Sequence, residues 1–206
     1  ALASIITGSA LARFNGTFNL RVFILALITA VFLQILSNLA NDYGDAVKGT
    51  DNAARIGPLR TVQSGAITSA QMKQGIAFAA CAAIFTGTWL ICEGLIGRSL
   101  FNYITFVFLG LISVIAALTY TMGRNPYGYI GLGDIAVFLF FGLTGVLGTY
   151  FLHRHELSSG AVLIAIVLGL FCMGVLNLNN MRDMDNDRHC GKITIPVQLG
   201  IAGAKK

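Results

Sequence analysis

Two stretches, 22–40 (VFILALITAVFLQILSNLA) and 160–178 (GAVLIAIVLGLFCMGVLNL), are apolar on every face and nearly as long as the roughly 20 residues a helix needs to cross a lipid core. In lipid every backbone N–H and C=O must be satisfied within the protein, which leaves helices or closed barrels. A barrel would show alternating segments of about ten residues, and the sequence has none. The chain is therefore expected to be an all-α, polytopic transmembrane helical bundle. Six spans are expected, at 1–12, 22–41, 71–92, 100–121, 133–152 and 160–181, within one integral-membrane domain covering 1–206. The chain opens inside an apolar run and closes at IAGAKK, so it is expected to be cut from a longer protein at both ends.

The charges agree with this segmentation. All three prolines, Pro58, Pro126 and Pro196, fall in the connections after the second, fourth and sixth spans, where a residue that cannot continue a helix belongs. Those connections, with the C-terminal residues, carry Lys48, Arg55, Arg60, Lys73, Arg124, Arg182, Arg188, Lys192, Lys205 and Lys206, against Arg13, Arg21, Arg98 and Arg154 at the opposite ends. Ten against four places the richer side in the cytoplasm, which predicts a multi-pass membrane protein with cytoplasmic connections. The net charge of +5 then reflects topology. No basic patch is interleaved with aromatics, so nucleic acid is not an expected partner. The four cysteines form no C-x-x-C pair, and reduced structural thiols are expected.

Only nine residues are acidic, and six of them stand in NLANDYGDAVKGTD (38–51) and NLNNMRDMDNDRHCGK (177–192), each closing an apolar segment. At 100° per residue, Asn38, Asn41, Asp42 and Asp45 lie within about 100° of one another if the second helix runs through 45. On the same reckoning Asn180, Asp183 and Asp187 lie within about 60°, while Asp185 points away. Carboxylate and amide oxygens suit a hard cation, and Mg²⁺ uses one or two carboxylates and completes its shell with water and substrate phosphate. Two such clusters facing one another would hold a diphosphate, and Lys48, Arg55, Arg60, Arg182 and Lys192 would take its remaining charge. A third connection, 119–134, adds Tyr120, Arg124, Tyr127, Tyr129 and Asp134; interfacial tyrosines serve equally well as belt anchors. A faint repeat, Asn-Leu-x-Asn at 38–41 and 177–180, precedes each acidic cluster.

Other groups have plainer readings. His153 and His155 fit a solvated turn on the opposite face. Glu93 fits a helix end near the outer surface, within reach of Arg98. Phe138, Phe140 and Phe141 could line a path for a prenyl chain or simply pack.

NDYGDAVKGTD followed by RIGPLRTVQSG, then YTMGRNPYGYIGLGD, then NLNNMRDMDNDRHCGKITIPVQLG resemble, in that order, the loops of the UbiA superfamily of intramembrane aromatic prenyltransferases. Within it the likeness is greatest to the branch whose acceptor is a dihydroxynaphthoate. The resemblance implies nine spans around a cavity open to the bilayer, with Mg²⁺ held by two Asp-rich motifs. Six spans stand here, so the start of the first and the last three would lie outside the chain. The family's Asn-x-x-x-Asp-x-x-x-Asp falls on Asn41 and Asp45 but then meets Gly49, with Asp51 two residues on. Its second motif falls on Asp183 and Asp187, and its Tyr-x-x-x-Lys on Tyr120 and Arg124.

The implied reaction is transfer of a prenyl group from a polyprenyl diphosphate to 1,4-dihydroxy-2-naphthoate, releasing diphosphate and carbon dioxide and giving a demethylmenaquinone. Catalytic roles fall on Asp45, Asp183, Asp187, Tyr120 and Arg124. The expected metal ligands come from Asn41, Asp42, Asp45, Asp51, Asn180, Asp183 and Asp187. The alternatives are a relative using a hydroxybenzoate, a chlorophyllide or a haem, and, from another class, a membrane cation transporter. Against transport, the acids gather at one surface, where an ion path would place them deeper.

Overall fold

The computed structural model describes residues 1–52, 60–62 and 64–205. Arg55, Pro58 and Lys206 lie outside the described residues, so the roles expected of them are not placed. The described chain is helical: α1 (Leu2–Phe14), α2 (Leu20–Lys48), α3 (Ser69–Gly94), α4 (Leu100–Thr119), α5 (Gly133–Arg154), α6 (Ser159–Arg182), α7 (Met184–His189) and α8 (Ile195–Ala204), with one 3₁₀ turn at Tyr127–Ile130. Five of these, α2 to α6, are long and apolar enough to cross a membrane. The expected first span is α1, whose 13 residues fall short of a crossing.

Side chains at the water-facing ends start these helices. Asn19 Oδ1 accepts from the Arg21 and Val22 amides at the head of α2. Thr68 and Gln71 exchange bonds as a capping box on α3, and Ser99 and Ser158 cap α4 and α6. Each satisfies donors that lipid could not. The surface between the ends is that of a lipid-solvated protein: Phe78, Phe85, Trp89, Phe101, Phe108 and Phe171 are each more than half exposed.

Helices α2, α3 and α4 pack as one group and α1, α5 and α6 as another. In the first, Leu36, Met72, Ile76, Ala79 and Val114 form the core. The second is held by small residues that let backbones touch, since lipid supplies no hydrophobic drive between helices. A Cβ on Gly8 would stand 2.5 Å from the Val146 carbonyl oxygen, and one on Gly142 2.6 Å from Gly169 Cα. Midway, Phe138–Gly148 of α5 is wound as a π-helix, a widening often found at functional sites. There the Ser4 hydroxyl donates to the Phe141 carbonyl at 2.5 Å.

Two expectations at the far end need correcting. Glu93 pairs with Arg21 at 3.6 Å, not with Arg98, because α2 and α3 run side by side. His153 is 6% exposed and belongs to α5, not to a solvated turn. Its Nδ1 accepts from the Asn19 amide at 3.2 Å, its Nε2 meets Ser9 Oγ at 3.0 Å, and its ring stacks on Phe18. It ties three segments together, and the polar sequence around it concealed that.

Candidate functional site

The two acidic motifs fold into the same local device. Asp45 and Asp187 each stand four residues before a glycine, Gly49 and Gly191, with φ of 73° and 71°. The following amides, Thr50 N–H and Lys192 N–H, donate back to the Asp45 and Asp187 carbonyls at 2.9 and 2.8 Å. This is a helix end wrapped through a left-handed residue, which glycine adopts without steric cost. The wrap turns each loop back onto the last turn of its helix, and the two loops then meet. Asn186 Nδ2 donates to the Thr50 carbonyl at 2.9 Å, and Asn52 Nδ2 lies 3.3 Å from Cys190 Sγ.

The third connection clasps both. Tyr129, 8% exposed, donates from its hydroxyl to Asp45 Oδ1 at 2.8 Å and touches Thr50 Oγ1. Its carbonyl accepts from the Ile193 amide at 2.9 Å. Lys48 Nζ and Lys192 Nζ stand 5.3 and 5.5 Å from its ring centroid, within cation–π range. Burial first, and Asp45 second, push its phenol far above the ordinary tyrosine range, so it remains a donor. The connection reaches α2 because residue 44 is glycine: a Cβ there would stand 2.5 Å from Thr121 Oγ1 and 2.7 Å from the Thr121 carbonyl. Thr121 Oγ1 in turn bonds the Ala40 carbonyl at 3.0 Å.

Of the expected metal ligands, Asp45 and Asp187 are buried at 7% and 2% exposure and lie close enough for Asp45 to help raise the Asp187 carboxyl. Burial is the largest cause, Asp183 and then Asp45 add to it, and the carboxyl is pushed up to about 6 although Lys192 opposes them. Lys192 Nζ is 3.8 Å from Asp187 Oδ1. Asp187 Oδ2 is buried with no hydrogen-bond partner among the described residues, a lone pair suited to a cation. Asp42 is ion-paired to Arg60, and Asp51 Oδ2 lies 4.0 Å from Arg60 Nε, so Arg60 engages the first motif's own acids. Asp183 is held in a two-pronged pair by Arg182 at 2.8 and 2.7 Å. The continuous helical face assumed for 180–187 is interrupted: α6 ends at Arg182, and Asp183 sits in the break with φ −94° and ψ 5°. Asp185 is exposed. Among the described residues no three His, Cys or acidic side chains cluster as a protein-only cation cage.

Beneath these loops lies a cavity of about 630 Å³ between the two helix groups, running from Asn41, Tyr120, Tyr127 and Asn179 down to Thr149 and Leu152. Tyr120 joins it to the acids. Burial, then Asp45, lead the causes that hold its phenol far above the ordinary range, and Asp187 contributes too. Phe140 and Phe141 line the cavity, whereas Phe138 packs onto Gly169. Asn179 lines it and Asn180, the expected ligand, is buried outside the lining. Arg124 is exposed and also outside the lining. The roles of Tyr129, Gly44 and Asn186 escaped sequence reasoning. A tyrosine between two glycines in a span-to-span connection was the available signal for the first.

Over residues 1–206 the chain matches the UbiA prenyltransferase family. It belongs to that family. It is 48% identical over 206 residues to the 1,4-dihydroxy-2-naphthoate octaprenyltransferase of Escherichia coli (strain K12), covering 100% of this chain and 66% of that protein. To the enzyme of the same name from Haemophilus influenzae it is 48% identical over 202 residues, covering 97% and 65%. The chain thus spans just under two thirds of the length of these relatives. Its fold is that of the apo UbiA homologue from Aeropyrum pernix K1, with TM-score 0.69 at 21% identity, covering 98% of this chain and 70% of that one. UbiA membership together with five apolar helices makes this a multi-pass membrane protein.

Proposed function

We propose that the protein containing this chain transfers a polyprenyl group from its diphosphate to 1,4-dihydroxy-2-naphthoate, at the cytoplasmic face of a bacterial plasma membrane. The observation that carries this reading is the meeting of the Asp45 and Asp187 loops at Tyr129, whose hydroxyl bonds Asp45 and whose carbonyl takes the Ile193 amide, above a cavity that runs down between the membrane-length helices. The names of the relatives at 48% identity support the choice of acceptor.

Asn41, Asp45, Asp183 and Asp187 would hold Mg²⁺, and the partnerless Asp187 Oδ2 fits that demand. Bound there, Mg²⁺ would supply positive charge to the leaving diphosphate oxygens. Among the described residues too few acids converge for a protein-only cage, in keeping with a cation that completes its shell from phosphate and water. Lys48 and Lys192, flanking Tyr129, take up diphosphate charge, and the Arg60 guanidinium can turn from Asp42 toward the anion. Preorganised charge of this kind is a large catalytic term where water is excluded. The allylic C–O bond breaks with its electron pair on diphosphate. The electron-rich ring attacks the allylic carbon, and loss of carbon dioxide restores aromaticity, giving the quinol of a demethylmenaquinone. The apolar walls from Phe140 and Phe141 to Leu152 keep water from the cation and receive the isoprenoid tail.

The intact protein, given Mg²⁺, a labelled polyprenyl diphosphate and a panel of aromatic acceptors, should prenylate dihydroxynaphthoate in preference to hydroxybenzoate, chlorophyllide or haem. Preference for another acceptor would keep the transferase and overturn the naphthoate assignment. Because the Asp187 carboxyl keeps its proton up to about pH 6, cation binding must displace that proton at lower pH. At limiting Mg²⁺ the rate should therefore climb between pH 5 and 7 through one deprotonation, and saturating Mg²⁺ should move its midpoint down. Tyr129→Phe keeps the ring between the two lysines but removes the donor to Asp45. Loss of one buried bond to a charged group should weaken apparent Mg²⁺ affinity about tenfold, read as the Mg²⁺ concentration giving half-maximal rate.

A further inference from the structure

At the end of the bundle away from the acidic loops, a guanidinium and an imidazole are brought to one rim. Leu95 and Leu152 pack in one buried cluster with Val22, and a Cβ on Gly94 would stand 2.8 Å from Leu152 Cδ2. Arg98 and His155 each follow three residues after that contact. The first turn closes through Gly97 at φ 73°, with the Arg98 amide donating to the Leu95 carbonyl at 2.9 Å. The Arg98 charge reaches the His155 ring: burial first, and Arg98 second, hold that imidazole below its ordinary range.

The acids at this end are already engaged. Glu93 pairs with Arg21 at 3.6 Å and Glu156 with Arg154 at 2.6 Å. Arg98 is exposed and has no ion pair among the described residues. His155 Nδ1 is buried with no hydrogen-bond partner among the described residues. Among those residues His155 is also the one non-glycine with a positive φ, 65°. It holds the left-handed position that ends α5, its amide on the Phe151 carbonyl at 2.7 Å, where glycine is the unstrained choice. Strain of this kind clusters at ligand sites, and the ring presented here lacks a partner.

The surroundings decide the ligand. Ile96, Leu100, Phe101 and Leu157, in and beside the turns that carry Arg98 and His155, are each more than half exposed. Apolar side chains around an unpaired guanidinium suit an amphiphile with an anionic head and hydrocarbon chains. The ends of membrane-length helices stand at the depth of lipid headgroups, where basic pockets collect anionic lipid.

We infer that Arg98 and His155 hold the phosphate of an anionic phospholipid, Arg98 as a two-pronged donor and the imidazole through one N–H, with the acyl chains along Leu100 and Phe101. The site needs only a chain resident in lipid. Its occupation fastens the α3–α4 turn to the end of α5. The His155 ring meets Phe151 edge-on at 6.3 Å, and Phe151 stacks on Phe106 at 5.6 Å. Phe106 and Leu152 line the deep end of the cavity, so bound lipid braces the wall farthest from the acids.

The test uses the intact protein in detergent, supplemented with dioleoyl phosphatidylglycerol, dioleoyl phosphatidylcholine or inorganic phosphate. Phosphatidylglycerol at tenfold its dissociation constant should raise the parent's melting temperature by about 2–4 °C, and the other two should raise it by less than about 1 °C. Arg98→Gln and His155→Asn should each abolish that gain. Without lipid both should melt within about 1 °C of the parent or, for His155→Asn, above it, since asparagine tolerates the left-handed backbone. Arg188→Gln, at the opposite end, should keep the full gain. A gain that persists in Arg98→Gln and His155→Asn, or one lost equally in Arg188→Gln, would overturn the site. An equal gain from phosphatidylcholine or from inorganic phosphate would overturn the anionic lipid as its ligand.

Discussion

Asp45→Asn and Asp187→Asn, made separately in the intact protein, are expected to lower Mg²⁺-dependent prenyl transfer by at least about 10²–10³-fold, with thermal unfolding in detergent close to that of the parent. Asparagine keeps the shape and, at 45, an oxygen to accept the Tyr129 hydroxyl now 2.8 Å from Asp45 Oδ1, so the clasp between the loops survives. What is lost is the negative charge that would hold a cation against diphosphate. Asp183→Asn should act in the same direction, and it also frees Arg182 from its two-pronged pair. Asp185→Asn is the control: its side chain is exposed, and turnover should stay near the parent value. Parent-level turnover in Asp45→Asn or Asp187→Asn would remove the metal assignment.

Gly44→Ala should damage both stability and turnover. The new Cβ would meet Thr121 Oγ1 at 2.5 Å and the Thr121 carbonyl at 2.7 Å, and backbone cannot yield as a side-chain tip can. Overpacking of this kind costs about 1–3 kcal/mol, and relief requires the third connection to move off α2, drawing Tyr129 from Asp45. Gly142→Ala creates a comparable clash, 2.6 Å from Gly169 Cα, away from the acidic loops. Both variants should melt earlier, but Gly44→Ala should also raise the Mg²⁺ requirement. Equal Mg²⁺ dependence in the two would show that Gly44 serves packing alone.

The legible parts of this protein were those governed by local rules. Apolar runs gave the five membrane-length helices, four of them within two residues at each end, while α2 runs on to Lys48, seven residues past the expected 41, because a segment in lipid must close its own hydrogen bonds but a polar helix end need not stop at the lipid. The acidic clusters stood out because carboxylates are scarce in such a chain. Periodicity carried less well across 180–187, where the helix breaks at Asp183; within α6 itself it is Asn179 that stands in the cavity wall. His153 misled for the opposite reason: flanked by Arg154 and His155, it read as solvated, yet both ring nitrogens have protein partners.

By itself the sequence determined that this chain lives in a membrane as helices and gathers six of its nine acids in two clusters at helix ends, since hydropathy and helical period are properties of single segments. Only the tertiary structure decided that Tyr129 bonds Asp45 through its hydroxyl and the second acidic loop through its carbonyl, that Asp42 is already paired with Arg60, and that Gln34, Ser37, Asn38 and Asn41 of α2 face a cavity instead of lipid. Those are relations between segments distant along the chain. They are set by close approaches, at Gly44 against Thr121 and Gly142 against Gly169, that no single segment encodes.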